Sequence, residues 1–291
     1  MELKFLRLAH QSPLPSMEGV FVKASEFRGE VGHLLRREGY IRLVEKAVNE
    51  MREGAFQKVA LSRVIPFESK GITPSQAVAQ LSQRFPHLTV FHFVDDEGNE
   101  WVGASPELLF SKKGNQYRTI SLAGTRLAME IPKPWGEKEI QEQALVTEYI
   151  CQTINTLGGK VERVEDVETF RSGSIEHLRS EIYFTYDGDW KDVMQRLHPT
   201  SAVAGMPVQR AFPFIQAQEP HDREYYTGLI GVEQGEQVEV YVLLRLAKYN
   251  QGRYYAFVGA GITKDSVPMH EADEVENKAN SFMSPIFELS S

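Results

Sequence analysis

Apolar residues recur at three- and four-residue intervals between Tyr40 and Glu53 (Ile41, Leu43, Val44, Ala47, Val48, Met51), and Gly54 follows as a stop, which predicts a helix there. The pattern then changes period. From Phe56 to Val64 it alternates, with Lys58, Ala60 and Ser62 on one face and Val59 and Leu61 on the other, as in a half-buried strand. Thr73-Pro74 opens a short helix that must stop before Pro86. Between Leu88 and Thr125 three turn clusters, Asp95-Asp96-Glu97-Gly98-Asn99, Ser105-Pro106 and Lys112-Lys113-Gly114-Asn115, separate β-branched and aromatic runs, which predicts an antiparallel meander. Beyond it the periodicity predicts a helix over 135–157, strands over 160–164 and 177–186, and helices over 191–197 and 208–218. Two more strands, 238–247 and 254–258, lead through Gly259-Ala260-Gly261, which reads either as a close backbone approach to a ligand or as a plain tight turn, to a final helix over 268–283.

Strands meet strands before helices intervene, and no fixed-period repeat or low-complexity linker occurs, which favours α+β over a doubly wound parallel sheet. One catalytic domain is expected over 38–291. Residues 1–37, with Pro13, Pro15 and no sustained period, read as an N-terminal segment available to the first sheet. The 291 residues are 42% hydrophobic and 25% charged, ordinary for a globular chain with a sizeable core. Net charge is −8 with no basic block, so nucleic acid is not an expected partner. No apolar run of membrane-spanning length and no signal core occurs, so a cytoplasmic protein without a membrane partner is expected. The single cysteine, Cys151, excludes an intramolecular disulfide and lies in a helical pattern, where a core thiol is the simplest role.

Two carboxylate pairs share one spacing, Glu139 with Glu142 and Glu271 with Glu274, each at i,i+3 and so on one face of a predicted helix. Oxygen ligands of this kind suit a hard divalent cation such as Mg²⁺, which uses one or two carboxylates and completes its shell with water and substrate oxygens. Solvated helix faces carry such pairs too, and spacing alone leaves both readings open. Lys278 extends the Glu274 face by one turn, as a cation beside a metal or as an ordinary helix ion pair. Arg245 falls in an aliphatic run (Val240 to Leu244) where a long charge needs a partner, either an internal carboxylate or one on a ligand. Lys58 and Glu107 are a strand lysine and a carboxylic acid after a Ser-Pro turn. They are surface decoration, or a base and an acid if one pocket holds both.

Taken in order, the motifs resemble the chorismate-utilising enzymes, the family of isochorismate synthases, salicylate synthases, anthranilate synthase component I and aminodeoxychorismate synthase. The matching stretches are Lys58-Val59-Ala60-Leu61-Ser62-Arg63, Gly103-Ala104-Ser105-Pro106-Glu107 and Leu122-Ala123-Gly124-Thr125-Arg126. Further on come Glu139 with Glu142, His177-Leu178, His198-Pro199-Thr200, Gly205-Met206-Pro207, Tyr226-Thr227-Gly228, Gly259-Ala260-Gly261-Ile262, and Ser266-Val267-Pro268 leading to Glu271, Glu274 and Lys278. The resemblance covers roughly residues 40 to 285. It implies two large antiparallel sheets packed as a sandwich with helices outside. It also implies Mg²⁺ on Glu142 and Glu274 with Glu139 and Glu271 assisting, and chorismate carboxylates on Arg245, Lys278 and the backbone at Gly124, Thr125 and Gly261. His177 would line the pocket.

Within the family, Lys58 resembles the members that use water as nucleophile, where the ammonia-using ones have Gln. Ala123 stands where aminodeoxychorismate synthases have a nucleophilic lysine, and Ala202 resembles isochorismate synthases where salicylate synthases have Thr. The departures are Gln143 in place of a common His, Glu139 in place of Asp, and Ser201 in place of Pro. The expectation is an isochorismate-forming isomerase of menaquinone or siderophore biosynthesis, with Lys58 as base, Glu107 as acid and no obligatory amidotransferase subunit. Salicylate or anthranilate-type chemistry, and a catalytically silent chorismate-binding subunit, are the alternatives.

Overall fold

The computed structural model describes residues 4–5, 19–127, 133–172 and 175–287. In chain order the elements are β1 (Lys4–Phe5), β2 (Gly19–Lys23), α1 (Arg37–Arg52), β3 (Lys58–Glu68), α2 (Pro74–Arg84), β4 (Thr89–Val94), β5 (Glu100–Ser105), β6 (Leu108–Lys113) and β7 (Gln116–Leu127). They continue with α3 (Glu137–Leu157), β8 (Lys160–Val164), β9 (Glu168–Ser172), β10 (Ile175–Thr185), α4 (Trp190–Leu197), β11 (Gly205–Met206) and α5 (Val208–Gln218). The last are β12 (Leu229–Gln234), β13 (Gln237–Val242), β14 (Leu246–Asn250), β15 (Arg253–Thr263) and α6 (Pro268–Phe287). The architecture is two antiparallel sheets with helices, and the chain divides into two compact units.

The first unit comprises residues 1–107, 203–232 and 241–291. Its six-stranded sheet runs β11-β3-β15-β14-β5-β4, and β1-β2-β12 lie side by side as well. β3 and β15 pair over eleven residues, from Lys58 opposite Thr263 to Glu68 opposite Arg253. The α1 stripe predicted from the sequence is buried (Tyr40, Leu43, Val44, Ala47, Val48, Met51). With Val59 and Leu61 of β3, Ala260 and Ile262 of β15, and Ala272, Val275 and Ala279 of α6 it forms one apolar cluster. α2 begins as its sequence predicts, with Thr73 and Gln76 in a reciprocal capping box and Pro74 in the first turn.

The second unit comprises residues 108–202 and 233–240, with strand order β13-β6-β7-β10-β8 and β9 on the free end of β10. Its core includes the rings of Phe110, Tyr117 and Phe184, with Tyr117 and Phe184 stacked at 5.0 Å. α3 stops at Gly158, whose φ of 90° is the left-handed closure that glycine adopts without a Cβ penalty.

Two expectations change. The strand predicted over 238–247 is broken: β13 ends at Val242, β14 starts at Leu246, and Leu243 instead bonds the 227–228 loop through Thr227 N–H and Gly228 C=O. Gly259-Ala260-Gly261 is no turn but the interior of β15, whose ladder carries these residues opposite Ser62, Leu61 and Ala60.

Candidate active site

In the first unit, Lys58 opens β3 and is half-buried. Its side chain crosses Gly261 on the neighbouring strand so closely that a Cβ there would lie 3.0 Å from Lys58 Cε and 3.8 Å from Nζ. Glycine at 261 is therefore what lets the lysine run along the sheet. Gly259, two residues back and on the same face, is equally crowded: a Cβ would meet the Leu61 carbonyl oxygen at 2.8 Å and the Tyr226 hydroxyl at 2.9 Å. Lys278 of α6 donates to the Gly259 carbonyl (3.1 Å) and pairs with Glu274 (2.7 Å). Glu271 is more sheltered than Glu274, and burial, with the Glu274 charge beside it, raises its carboxyl above the ordinary value despite Ser266 and Lys278. Glu271 and Glu274 are all-oxygen donors of the kind a hard divalent cation takes, with Glu274 here paired to Lys278.

Glu107 is pinned through its backbone: its N–H bonds Ser105 Oγ (3.2 Å) and its carbonyl accepts from Val242 N–H (2.9 Å). Its charge contributes to raising the buried Tyr226 phenol, whose largest cause is burial. Arg245 sits in the gap between β13 and β14 with a left-handed φ of 44°, a conformation that costs a residue with a side chain of order 1–3 kcal/mol. It is half-buried, its guanidinium lies 5.5 Å from the Phe85 ring, and among the described residues no carboxylate pairs with it. Burial is what lowers its pKa from the ordinary arginine value.

In the second unit, Gly124 is the extra residue of a β-bulge: His177 pairs with Thr125 and Leu178 with Ala123, leaving Gly124 unmatched at φ 66°. The bulge turns the Gly124 carbonyl toward the half-buried His177, whose Nδ1 lies 3.1 Å away. Because a carbonyl only accepts, that nitrogen carries the ring proton. Gly124 also touches α3, since a Cβ would be 3.1 Å from Glu139 Cβ. Glu139 and Glu142 are half-buried on this face of α3. The next residue, Gln143, is fully buried, donates to Ser121 O (3.2 Å) and Oγ (3.0 Å), and leaves its Oε1 without a partner among the described residues. The Thr125 side chain lies outside the described residues; its backbone is in β7. Ala202 is exposed in the turn before β11, not at a helix start. Among the described residues no three acidic, histidine or cysteine side chains gather at metal-ligand spacing.

One cluster went unseen in the sequence. Glu219, His221, Arg223 and Thr227 are buried around Ser62 of β3, in a stretch without periodicity. The only signal there was Glu219 and Arg223 at i,i+4. Burial pushes the Glu219 carboxyl up, but the Arg223 charge and hydrogen bonds outweigh it, so its pKa lies below the ordinary value.

Within the first unit, Lys58 passes Gly261, Lys278 reaches the Gly259 carbonyl and Arg245 has no carboxylate partner among the described residues, a cationic chemistry suited to an anionic ligand. The chain belongs to the chorismate binding enzyme family, whose model matches residues 22–284. It is 32% identical over 260 residues to isochorismate synthase MenF of Escherichia coli, covering 85% of this chain and 60% of that protein. The chain thus spans less than two thirds of that relative's length. The solved structure of the Escherichia coli menaquinone-specific isochorismate synthase matches with a TM-score of 0.77 at 28% identity, covering 94% of this chain and 65% of that one. Anthranilate synthase component I from Streptococcus pneumoniae shares the fold at a TM-score of 0.73 and 24% identity, covering 93% of this chain and 62% of its own.

Proposed function

We propose that the chain is an isochorismate synthase. The observation that carries this is Arg245, a half-buried guanidinium on a strained backbone with no carboxylate among the described residues to neutralise it. A buried cation of that kind is stable once an anionic ligand supplies bidentate acceptors, and chorismate is a dicarboxylate. The lysine at 58, directed along β15 by Gly261, supports water rather than ammonia as nucleophile. The similarity to isochorismate synthases supports the same choice.

In the proposed reaction Lys58 removes a proton from water as its oxygen bonds to C2 of chorismate. The ring double bonds shift, the C4–oxygen bond breaks, and Glu107 delivers a proton so that the C4 hydroxyl leaves as water. One water enters and one departs, so the reaction is an isomerisation. Glu142 and Glu274, with Glu139 and Glu271, are the proposed Mg²⁺ ligands, and the ion when bound supplies positive charge to a substrate carboxylate. Lys278 adds a cation to the same helix face. His177, the backbone at Gly124, Thr125 and Gly261, and Ala202 are the proposed lining. No helix among the described residues is long and apolar enough to cross a membrane.

The test is to mix the purified chain with chorismate and Mg²⁺, with and without an ammonium salt, and separate the products. Isochorismate in both mixtures is expected. Anthranilate appearing with ammonium, stoichiometric pyruvate with salicylate, or no turnover would each replace this reading with one of its alternatives.

A further inference from the structure

β3 has an incomplete neighbour. On the edge away from β15, β11 covers only Lys58 and Val59, and Ala60 N–H reaches one residue further to the Ala204 carbonyl (3.0 Å). Beyond that point the edge is finished by two side chains. Arg223 Nη2 donates to the Ala60 carbonyl (2.8 Å), and Glu219 Oε1 accepts from Ser62 N–H (2.6 Å) and Ser62 Oγ (3.0 Å). The two close on each other through Arg223 Nε to Oε2 and Nη2 to Oε1, both 2.7 Å. The remaining guanidinium hydrogens go to the Val203 carbonyl (2.9 Å) and Thr227 Oγ1 (3.4 Å), and the plane lies 4.1 Å from the Phe27 ring centroid. All the N–H donors of the fork are therefore used.

From this geometry we infer that the Glu219–Arg223 pair is a positioning device for Lys58, standing in for a strand along the edge of β3 that begins at the lysine. This rests on the reading of Lys58 as the base. A buried ion pair is weak evidence of stabilisation, because apolar residues of like volume often serve as well. Here they would not, since they would leave the Ala60 carbonyl and the Ser62 N–H buried without partners. What the pair supplies is direction. Five residues or groups on four segments (Ala60 and Ser62, Val203, Thr227 and the Phe27 ring) are held to the one Glu219–Arg223 pair, and the first of them is two residues from Lys58. The lysine side chain passes close over Gly261, where an added Cβ would lie 3.0 Å from its Cε, so the amine is aimed by the position of β3 against β15. A small shift of β3 therefore moves the amine as a whole.

The experiment uses Arg223→Lys, which keeps the charge but loses the fork, and Glu219→Asp, which keeps the charge but shortens the reach. Each is compared with the unaltered chain in three measurements: thermal midpoint, the pH profile of kcat, and the pH dependence of Lys58 acylation by a small amine reagent, read by peptide mass spectrometry. The exposed Lys113 serves as the internal reference. Both variants are expected to lose about 10-fold or more in kcat, as small misplacements of a reacting group do, with KM changed far less. The Lys58 acylation profile should move along the pH axis while that of Lys113 stays. Lowered thermal midpoints with an unaltered Lys58 profile and unaltered kcat would overturn the inference, leaving the pair as plain scaffold. If Lys58→Ala turns over normally while Arg223→Lys still displaces the Lys58 profile, the positioning stands and the assignment of Lys58 as base fails.

Discussion

Gly261→Ala adds one methyl group at a place where the structure states what it meets. The new Cβ would lie 3.0 Å from Lys58 Cε. Ordinary carbon–carbon contact is about 3.5–4.0 Å, so the lysine stem must give way by a few tenths of an ångström, to about 0.5 Å. The backbone itself has no objection, since residue 261 lies in the extended ladder of β15 opposite Ala60. The side chain that moves is flexible, so stability should hold, and removing glycine's freedom from the unfolded chain favours the variant by about 0.4–1 kcal/mol. If the Lys58 amine must meet a water poised at a ring carbon, a displacement of that size should cost about 10-fold in kcat. Steady-state isochorismate formation by chromatography and a thermal scan together make the assay. Gly259→Ala is the contrast, because its Cβ would meet the rigid Leu61 carbonyl at 2.8 Å, and it should instead lower the thermal midpoint. The reasoning is refuted if Gly261→Ala keeps full kcat with a normal thermal midpoint, because the placement of the Lys58 amine would then be immaterial.

Arg245→Met should raise KM for chorismate by about 10- to 100-fold, the value of a charged hydrogen bond, while leaving the thermal midpoint unchanged or higher because a buried cation is gone. A lowered midpoint with unchanged KM would show that Arg245 serves the fold. Activity should require Mg²⁺, and Glu142→Gln and Glu274→Gln should each weaken the apparent Mg²⁺ affinity at least about 10- to 100-fold with the fold intact by circular dichroism. Full turnover in excess chelator would exclude that role. Burial holds the His221 imidazole below the ordinary value of 6.5, opposed by Glu219 and Asp222 and assisted by Arg223 and His33. The unfolded chain therefore takes up a proton first as pH falls, and this contribution to stability, complete above pH 6.5, is lost below it at up to about 1.4 kcal/mol per pH unit. Thermal midpoints at pH 7.5 and 5.5 should differ less in His221→Gln, and an unchanged difference would count against it.

The helices and most strands were legible because one face of each is buried against a core, and that is what a period of 3.6 or 2 records. The α1 stripe and α5 over Val208–Gln218 lie where the pattern puts them, and β8 over Lys160–Val164 does so as well although none of its residues is buried. The pattern failed where the backbone is decided by something other than a buried face. Across Leu243-Leu244-Arg245 it is uniformly apolar up to the arginine, and nothing in it announces the left-handed φ at Arg245 that ends the strand. β9 over Glu168–Ser172 is a short edge segment on β10, with too few apolar positions to declare a period. The Glu219–Arg223 cluster lies in a loop whose order comes from polar side chains bonded to β3, and hydrophobic periodicity carries no information about that.

The candidate site was legible only through the order of its motifs, and the glycines of β15 show why. Alone, Gly259-Ala260-Gly261 signals a turn, because glycine is where chains usually bend. In the structure both glycines stay in the ladder and face the same way, and what they have in common is the absence of a Cβ on a crowded face. One vacancy is filled by the stem of Lys58, from the strand alongside. The other is filled by the Tyr226 hydroxyl, and the Gly259 carbonyl receives the Lys278 ammonium from α6. A residue selected for the room it leaves contributes nothing to any hydrophobic period. Its meaning appears only when the neighbours that use the room are known, and those neighbours lie far off along the chain, Lys58 203 positions before Gly261 and Tyr226 33 positions before Gly259. A site assembled from such long-range vacancies is therefore invisible to local pattern while the strands that carry it are plain, and this is why substituting the glycines is expected to separate function from fold.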